Sequence, residues 1–208
     1  MVVGADKLSE SLLRFKRGYP TDLLAWTECA QAELAPVLDQ HTIIMRALSH
    51  QELIILNPPY NSLDILASRL AFQCAGQYLP QGLVKQRPTK PMKSLSRAER
   101  KKELQQVYMV KENLISSSCQ AILVLDDILT SGSTVGAIIE ALNAVTDKSI
   151  SVFTLAYTEK YTSLNDQLNL ESYTYQWDHV SGWAPVGESE EFYGTVSSLK
   201  QKILNNSF

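Results

Sequence analysis

The chain has 208 residues, of which 45% are hydrophobic and 20% are charged, and its formal net charge is −3. These values are typical of an ordinary globular protein of one domain, and the net charge does not indicate a duplex-binding surface. The three cysteines form no CxxC pair, which excludes a zinc ribbon and favours thiols in a reducing compartment. The N-terminus turns acidic too early for a signal peptide, and no apolar run approaches the ~18 residues of a membrane span. We therefore expect a cytoplasmic protein without a membrane partner.

The first third of the chain is predicted to contain two helical regions around one strand. Residues 5–35 have helical leucine spacing, with a break at Gly18-Tyr19-Pro20. The run HTIIMRAL (41–48) indicates a short strand that ends at Arg46. Residues 61–78 have apolar residues at helical spacing, and Asn61 with Asp64 three residues later indicates an N-terminal capping box.

Residues 85–102 form a basic segment, which holds 8 of the 19 basic residues and one acid, Glu99. Pro88 and Pro91 preclude a regular element in its first half, whereas its second half, from Ser96, has the pattern of a helix. The segment is compatible with a loop that closes over an anionic ligand. A solvated helix face and a nucleic-acid patch are the open alternatives.

Strands alternate with helices in the following part of the chain. QVYMV (106–110) and the continuous apolar runs AILVL (121–125) and SISVFTLAYT (149–158) indicate strands, and Val135, Ile138, Leu142 and Val145 mark one face of a helix. This alternation predicts an α/β fold with a mostly parallel central sheet flanked by helices, over residues 1–159.

Residues 160–208 do not continue the alternation and hold 8 of the 17 aromatic residues. They are predicted to form a C-terminal appendage or hood. Trp177 and Trp183 are expected either to pack this appendage onto the sheet or to stack on a base.

The stretch AILVLDDILTSGSTVGAII (121–139) contains the candidate ligand-binding motif. Asp126 and Asp127 are expected at the end of a buried strand, where ligands bind in open parallel sheets. A short loop then leads to a helix N-terminus, which suits a phosphate group, and Gly132 lets the backbone approach that anion. Two carboxylates beside a phosphate are understandable if they accept hydrogen bonds from ribose hydroxyls, with Mg²⁺ offsetting their charge.

Two other phosphate motifs are excluded by spacing. A haloacid-dehalogenase site needs two acids that are two residues apart, and here Asp126 and Asp127 are adjacent. A Walker A loop needs GK(S/T), and Gly132 is followed by Ser133. A pair of acids that merely ends a strand in a generic Rossmann-like domain is the remaining alternative.

The stretch LVLDDILTSGST resembles the 5-phosphoribosyl-1-pyrophosphate (PRPP) signature of type I phosphoribosyltransferases. Within that superfamily the chain is most similar to the ComF-like, competence-associated members, through LLRFKRGYP, LDILASRLA and an ER-containing basic segment before the acids. The resemblance implies the type I phosphoribosyltransferase fold. It also implies a pentosyltransferase of nucleotide metabolism that uses PRPP, Mg²⁺ and a nucleobase-like acceptor.

Site residues follow from this resemblance. Asp126 and Asp127 would hold the ribose hydroxyls and lie near the Mg²⁺. The residues implied in 5-phosphate binding are Thr130, Ser131, Gly132, Ser133 and Thr134. Those implied in pyrophosphate binding are Arg46 and Ala47 in the loop after the first core strand, and Lys85, Arg87, Arg97 and Arg100 in the basic segment.

The chain departs from the ComF pattern at two places, because it lacks the N-terminal zinc module and has NPPYNSLDILA where the family has an RGFNQ-like stretch. The acceptor base is therefore not identified by the sequence. Besides the enzyme, two hypotheses stay open: a catalytically silent PRPP- or nucleotide-binding regulator, and a ComF-like DNA-uptake accessory protein. A homodimer is an open alternative to a monomer.

Overall fold

The computed structural model describes residues 7–56, 61–91, 94–130, 132–157, 173–178 and 182–188. Its elements, in chain order, are α1 (Lys7–Lys16), α2 (Pro20–Leu34), β1 (Thr42–Arg46), α3 (Ser62–Cys74), β2 (Gln77–Tyr78), β3 (Leu83–Lys85), α4 (Arg97–Leu104), β4 (Tyr108–Val110), β5 (Ala121–Leu129), α5 (Ser133–Asn143), β6 (Ser149–Tyr157), β7 (Tyr173–Asp178) and β8 (Gly182–Glu188). Among the described helices, none combines the length and the apolar character needed to cross a bilayer.

A four-stranded parallel sheet, in the order β2-β1-β5-β6, forms the centre of the fold. Successive residues of its central strands face opposite sides, as the pleat requires. Ile44 and Leu123 pack with the core of α1, α2 and α3, whereas Ile43 and Ile122 pack with the core of α4, α5 and the β3–β4 pair. The predicted α/β class, with a parallel sheet between helical layers, is confirmed.

Several local predictions are also confirmed. The break between α1 and α2 is present, where Gly18 has a left-handed φ of 76° and Pro20 begins α2. Asn61 and Asp64 form the expected capping box at the start of α3. Ser96 and Glu99 form another box at the start of α4, in the second half of the basic segment.

β5 differs from its prediction. We expected the strand to end at Leu125, but it continues to Leu129 and includes both acids. The reason is that β6 supplies partners for this extension, with Asp126 opposite Thr154 and Leu129 opposite Tyr157. The short strand β2 was not predicted. The apolar GLV before Lys85 indicates a strand end there, and β3 ends at Lys85 and pairs with β4 in antiparallel orientation.

In the C-terminal part, β7 and β8 form an antiparallel pair in which Trp177 lies opposite Trp183. Most other residues of the predicted appendage lie outside the described ranges. The division at residue 159 and the roles of the two tryptophans stay predictions.

Candidate functional site

The carboxyl edge of the sheet has a step beside β5. β1 ends at Arg46, which pairs with Leu125, and the next backbone N–H, of Ala47, donates to the Leu125 carbonyl oxygen at 2.8 Å. β5 then continues beside β6 alone, so Asp126 and Asp127 lie past the end of β1. Ligands of open parallel sheets bind at this edge.

The two acids meet different surroundings, because adjacent residues of a strand project to opposite faces. On the side of the N-terminal helices, Asp127 Oδ2 lies 2.7 Å from Lys16 Nζ at the end of α1. On the other side, the charges of Asp126 and Lys85 at the end of β3 influence each other. One Asp126 oxygen also accepts the backbone N–H of Asp127 at 2.9 Å.

The carboxyl group of Asp126 has a raised pKa. Burial raises its pKa to about 7, and the neighbouring charge of Asp127 adds to the rise. The Asp127 N–H, Lys16 and Lys85 oppose the rise without cancelling it. The group therefore titrates near neutral pH, and its ionised form is stabilised only when cations or hydrogen-bond donors approach it.

Lys85 is buried at the end of β3. Its Nζ donates to the Ser49 carbonyl oxygen at 2.6 Å and lies 5.4 Å from the Tyr108 ring centroid. Burial lowers the pKa of Lys85 to about 8, although Glu52 and Asp126 act in the opposite direction. The cation lies on the Asp126 side of the site.

Tyr108 is a residue of this site that sequence reasoning missed. It lies opposite Lys85 in the β3–β4 pair, and its buried hydroxyl has no hydrogen-bond partner among the described residues. Burial, with the nearby charges of Asp126 and Glu52, raises its pKa. The sequence predicted its strand but not the pairing that brings it beside Lys85.

The loop between β5 and α5 has the local geometry of an anion site. α5 begins at Ser133, and its N-cap is Gly132, with a left-handed φ of 69° and no side chain to cap the helix. Of the other predicted 5-phosphate residues, Thr130 is exposed, Ser133 and Thr134 are partly buried, and Ser131 lies outside the described residues. Their contacts with a ligand stay a prediction.

Arg46, which is predicted to bind pyrophosphate, has a buried side chain with several internal partners. Its side chain is 1% exposed and donates to Asp64, to both Glu52 oxygens at 2.8 and 2.9 Å, and to the Ala47 carbonyl oxygen at 3.0 Å. These contacts, with a second one to Asp64 at 3.3 Å, engage all five guanidinium N–H groups. The Arg46 side chain could therefore contact pyrophosphate only after this network had broken.

The network instead fixes the loop that follows β1, which contains Ala47. Glu52 accepts the backbone N–H of Ser49 at 2.7 Å, and the Ser49 carbonyl oxygen accepts Lys85. The backbone N–H of Thr89 donates to the His50 carbonyl oxygen at 2.8 Å. The loop after β1 is thus held both by Arg46 and by the beginning of the basic segment.

The basic segment begins at Lys85, the last residue of β3, and the chain returns through α4 to β4, where Tyr108 lies opposite Lys85. Arg87 donates to the Glu103 carboxylate at 3.0 Å, and Arg100 Nε donates to the Leu95 carbonyl oxygen at 3.0 Å. Arg97 begins α4, and its side chain lies outside the described part of the chain. The segment thus begins on the Asp126 side of the site, whereas Arg87 and Arg100 contact Glu103 and Leu95 of the same β3–β4 connection.

Comparisons with known protein families and with curated proteins find no match. Among solved structures, the chain is similar to one described as the allosteric regulatory enzyme of purine biosynthesis, at 14% identity and a TM-score of 0.41, over 64% of this chain and 26% of that one. It is also similar to the glutamine PRPP amidotransferase from B. subtilis, complexed with ADP and GMP, at 14% identity and a TM-score of 0.41, over 88% of this chain and 34% of that one. The chain spans about a quarter to a third of these proteins, and neither likeness is close enough to assign a family or an activity.

Proposed function

We propose that the protein binds PRPP with Mg²⁺ at the carboxyl edge of β5 and transfers its phosphoribosyl group to or from a nitrogenous base. The observation that carries this proposal is the step in the sheet. It leaves two adjacent, partly buried carboxylates past the end of β1, one short loop away from a glycine-capped helix N-terminus. Carboxylates accept from a ribose diol and the helix N-terminus favours a phosphate, so together they suit a phosphorylated ribose.

The transfer needs no protein nucleophile. A nitrogen of the base attacks the anomeric carbon, the bond to pyrophosphate breaks, and pyrophosphate leaves with the bonding electrons. Asp126 and Asp127 would orient the ribose, and Lys85 and the basic segment would stabilise the charge that develops on the leaving group. The attachment of that segment beside Asp126 supports its role as a closing loop.

The residues at the acid pair fit a Mg²⁺ ion that arrives with the ligand. One Asp126 oxygen accepts the Asp127 N–H, one Asp127 oxygen contacts Lys16, and each carboxylate has a second oxygen. Mg²⁺ keeps several waters and is usually bound by one or two carboxylates together with substrate phosphates. When bound, the ion would neutralise charge on the pyrophosphate.

A second candidate function is PRPP binding without turnover, as in a regulatory protein. The observation that favours it is the engagement of Arg46 in an internal network, which removes one predicted cation from the leaving group. The ComF-like assignment stays a prediction under both candidates.

Isothermal titration with PRPP and Mg²⁺ tests the proposal. We expect saturable binding that is weakened at least tenfold in Asp126→Asn/Asp127→Asn and unchanged in Asp147→Asn, whose 96% exposed side chain precedes β6 at the opposite edge of the sheet. Absence of binding to the wild type at millimolar PRPP would refute both candidates.

A screen of purines and pyrimidines for pyrophosphate release separates the two. Release identifies the enzyme, whereas binding without release identifies the regulator. The DNA-uptake hypothesis predicts DNA affinity that falls steeply with salt, which a fluorescence titration at two salt concentrations measures.

A further inference from the structure

Lys16 forms an ion pair with Asp127, although sequence reasoning gave it no role. Its Nζ lies 2.7 Å from Asp127 Oδ2, and the two side chains are 35% and 25% exposed. A pair with this exposure lies at the mouth of the site, where a ligand would meet both groups. The charge of Lys16 also acts on Asp126 and opposes the rise in the pKa of that carboxyl group.

The backbone at Lys16 is held firmly. Phe15, the preceding residue, is fully buried in the core beneath the sheet, and its carbonyl oxygen accepts the Ser62 hydroxyl of α3. The turn that ends α1 adds two hydrogen bonds, from Gly18 N–H to the Phe15 oxygen at 2.8 Å and from Tyr19 N–H to the Arg14 oxygen at 3.0 Å. These bonds fix the backbone from which the Lys16 side chain extends, and the ion pair with Asp127 orients the side chain itself.

The rest of the α1–α2 hairpin reinforces this placement. Arg14, one half-turn before Lys16, is engaged with Asp22 of α2 at 2.9 Å. The same Asp22 accepts the Ser11 hydroxyl, and Trp26 Nε1 donates to that hydroxyl oxygen at 3.2 Å. Arg14 is thus committed to joining the two helices, whereas Lys16 points its charge at the sheet edge.

The negative charge of Asp126 and Asp127 explains why a cation such as Lys16 would favour ligand binding beside them. Two adjacent carboxylates repel an anionic ligand, and the field is strong because the site is only partly solvated. A lysine paired with one carboxylate offsets that repulsion and fixes the orientation of the carboxylate. The second oxygen of Asp127 is left to accept a hydroxyl of the ligand.

We propose that Lys16 is a positioning residue of the site, which orients Asp127 and offsets its charge so that a phosphorylated ribose can bind. This inference rests on the proposed function, because it presupposes a sugar phosphate at the acid pair. It gives the N-terminal hairpin a role in recognition, in addition to packing on the sheet.

Titration of the wild type, Lys16→Met, Lys16→Arg and Lys148→Met with PRPP·Mg²⁺ and with ribose 5-phosphate tests this role. Lys148 is a matched control, because it is 34% exposed and its nearest acid, Asp147, is 4.0 Å away at the opposite edge of the sheet. We expect an affinity loss of about tenfold for both ligands in Lys16→Met, with most of the affinity restored in Lys16→Arg and none lost in Lys148→Met.

A double variant distinguishes action through Asp127 from direct contact with the ligand. In an Asp127→Asn background, Lys16→Met should cause little further loss. Unchanged affinity in Lys16→Met, a loss that Arg does not restore, or a loss that persists in the Asp127→Asn background would each overturn the inference while leaving PRPP binding intact. If the wild type binds neither ligand, the proposed function fails and this inference fails with it.

Discussion

Replacement of Arg46 by Met should unfold the protein at markedly lower temperature, because Arg46 belongs to a buried charge network. The Asp64 carboxylate is fully buried and accepts Arg46, the Tyr78 hydroxyl at 2.5 Å and the Asn61 N–H at 3.1 Å. Removal of the guanidinium leaves the buried Asp64 carboxylate, and the partly exposed Glu52 carboxylate, without their arginine partner. Breaking one side of a buried pair costs roughly 3–5 kcal/mol. For a chain of this length that corresponds to a fall in melting temperature on the order of 6–20 °C.

The pKa shifts in the network agree with this reasoning. Burial alone would lower the pKa of Arg46, but hydrogen bonds and charges from Glu52 and Asp64 outweigh burial and raise it. Burial likewise acts to raise the pKa of Glu52, and its contacts with Arg46 and Ser49 lower it instead. The ion pairs therefore stabilise the charged forms of both partners in the folded state.

Urea unfolding followed by circular dichroism measures the effect, in Arg46→Met, Asp64→Asn and the double variant. Asp64→Asn removes the buried negative charge that Arg46→Met leaves without its cation. The loss of unfolding free energy in the double variant should therefore be smaller, by about 1–3 kcal/mol, than the sum of the losses in the two single variants. If Arg46→Met instead stays within about 0.5 kcal/mol of the wild type and loses PRPP affinity, the network reasoning is wrong and Arg46 is the pyrophosphate ligand that its sequence position suggested.

Three further predictions concern the site itself. The pKa of Asp126 is raised to about 7 in the folded state, so that state retains a proton that the unfolded chain releases near pH 4. The free energy of unfolding should therefore fall as pH rises through this interval. Urea titrations at several pH values measure this slope, and Asp126→Asn should remove the part that is due to Asp126. Gly132→Ala should cost about 1–2 kcal/mol in thermal melts, because φ is 69°, and should weaken PRPP binding, whereas unchanged affinity would argue against a phosphate at this loop. Tyr108→Phe should leave the melting temperature unchanged or raise it, because the buried hydroxyl has no partner in the described part of the chain; a clear fall would reveal one.

Local patterns predicted the elements of this fold well because their causes are local. The continuous apolar runs of β5 and β6 reflect burial on both faces, and the capping box of Asn61 and Asp64 spans only three residues. The glycine between α1 and α2 ends a helix through its own backbone. Each of these signals can be read without knowing what the segment packs against.

The partners of charged side chains could not be predicted in this way. Arg46 at a strand end is compatible with a ligand contact or an ion pair, and the choice depends on Glu52 and Asp64, which the fold brings from a loop and a helix. Tyr108 and Lys85 meet only because two short strands pair, and such strands carry little periodicity.

The structure also changes what the two adjacent acids mean. The sequence suggested that Asp126 and Asp127, at the end of one strand, act alike on a ribose diol. As strand residues they diverge, so that Asp127 meets Lys16 of the N-terminal hairpin while Asp126 is held on the side of Lys85. The two acids therefore face opposite sides of the sheet, and each carboxylate interacts with a different lysine. A single neutralising substitution should then affect the two sides unequally: loss of Asp127 releases the α1 cation, whereas loss of Asp126 removes a proton acceptor that titrates near pH 7.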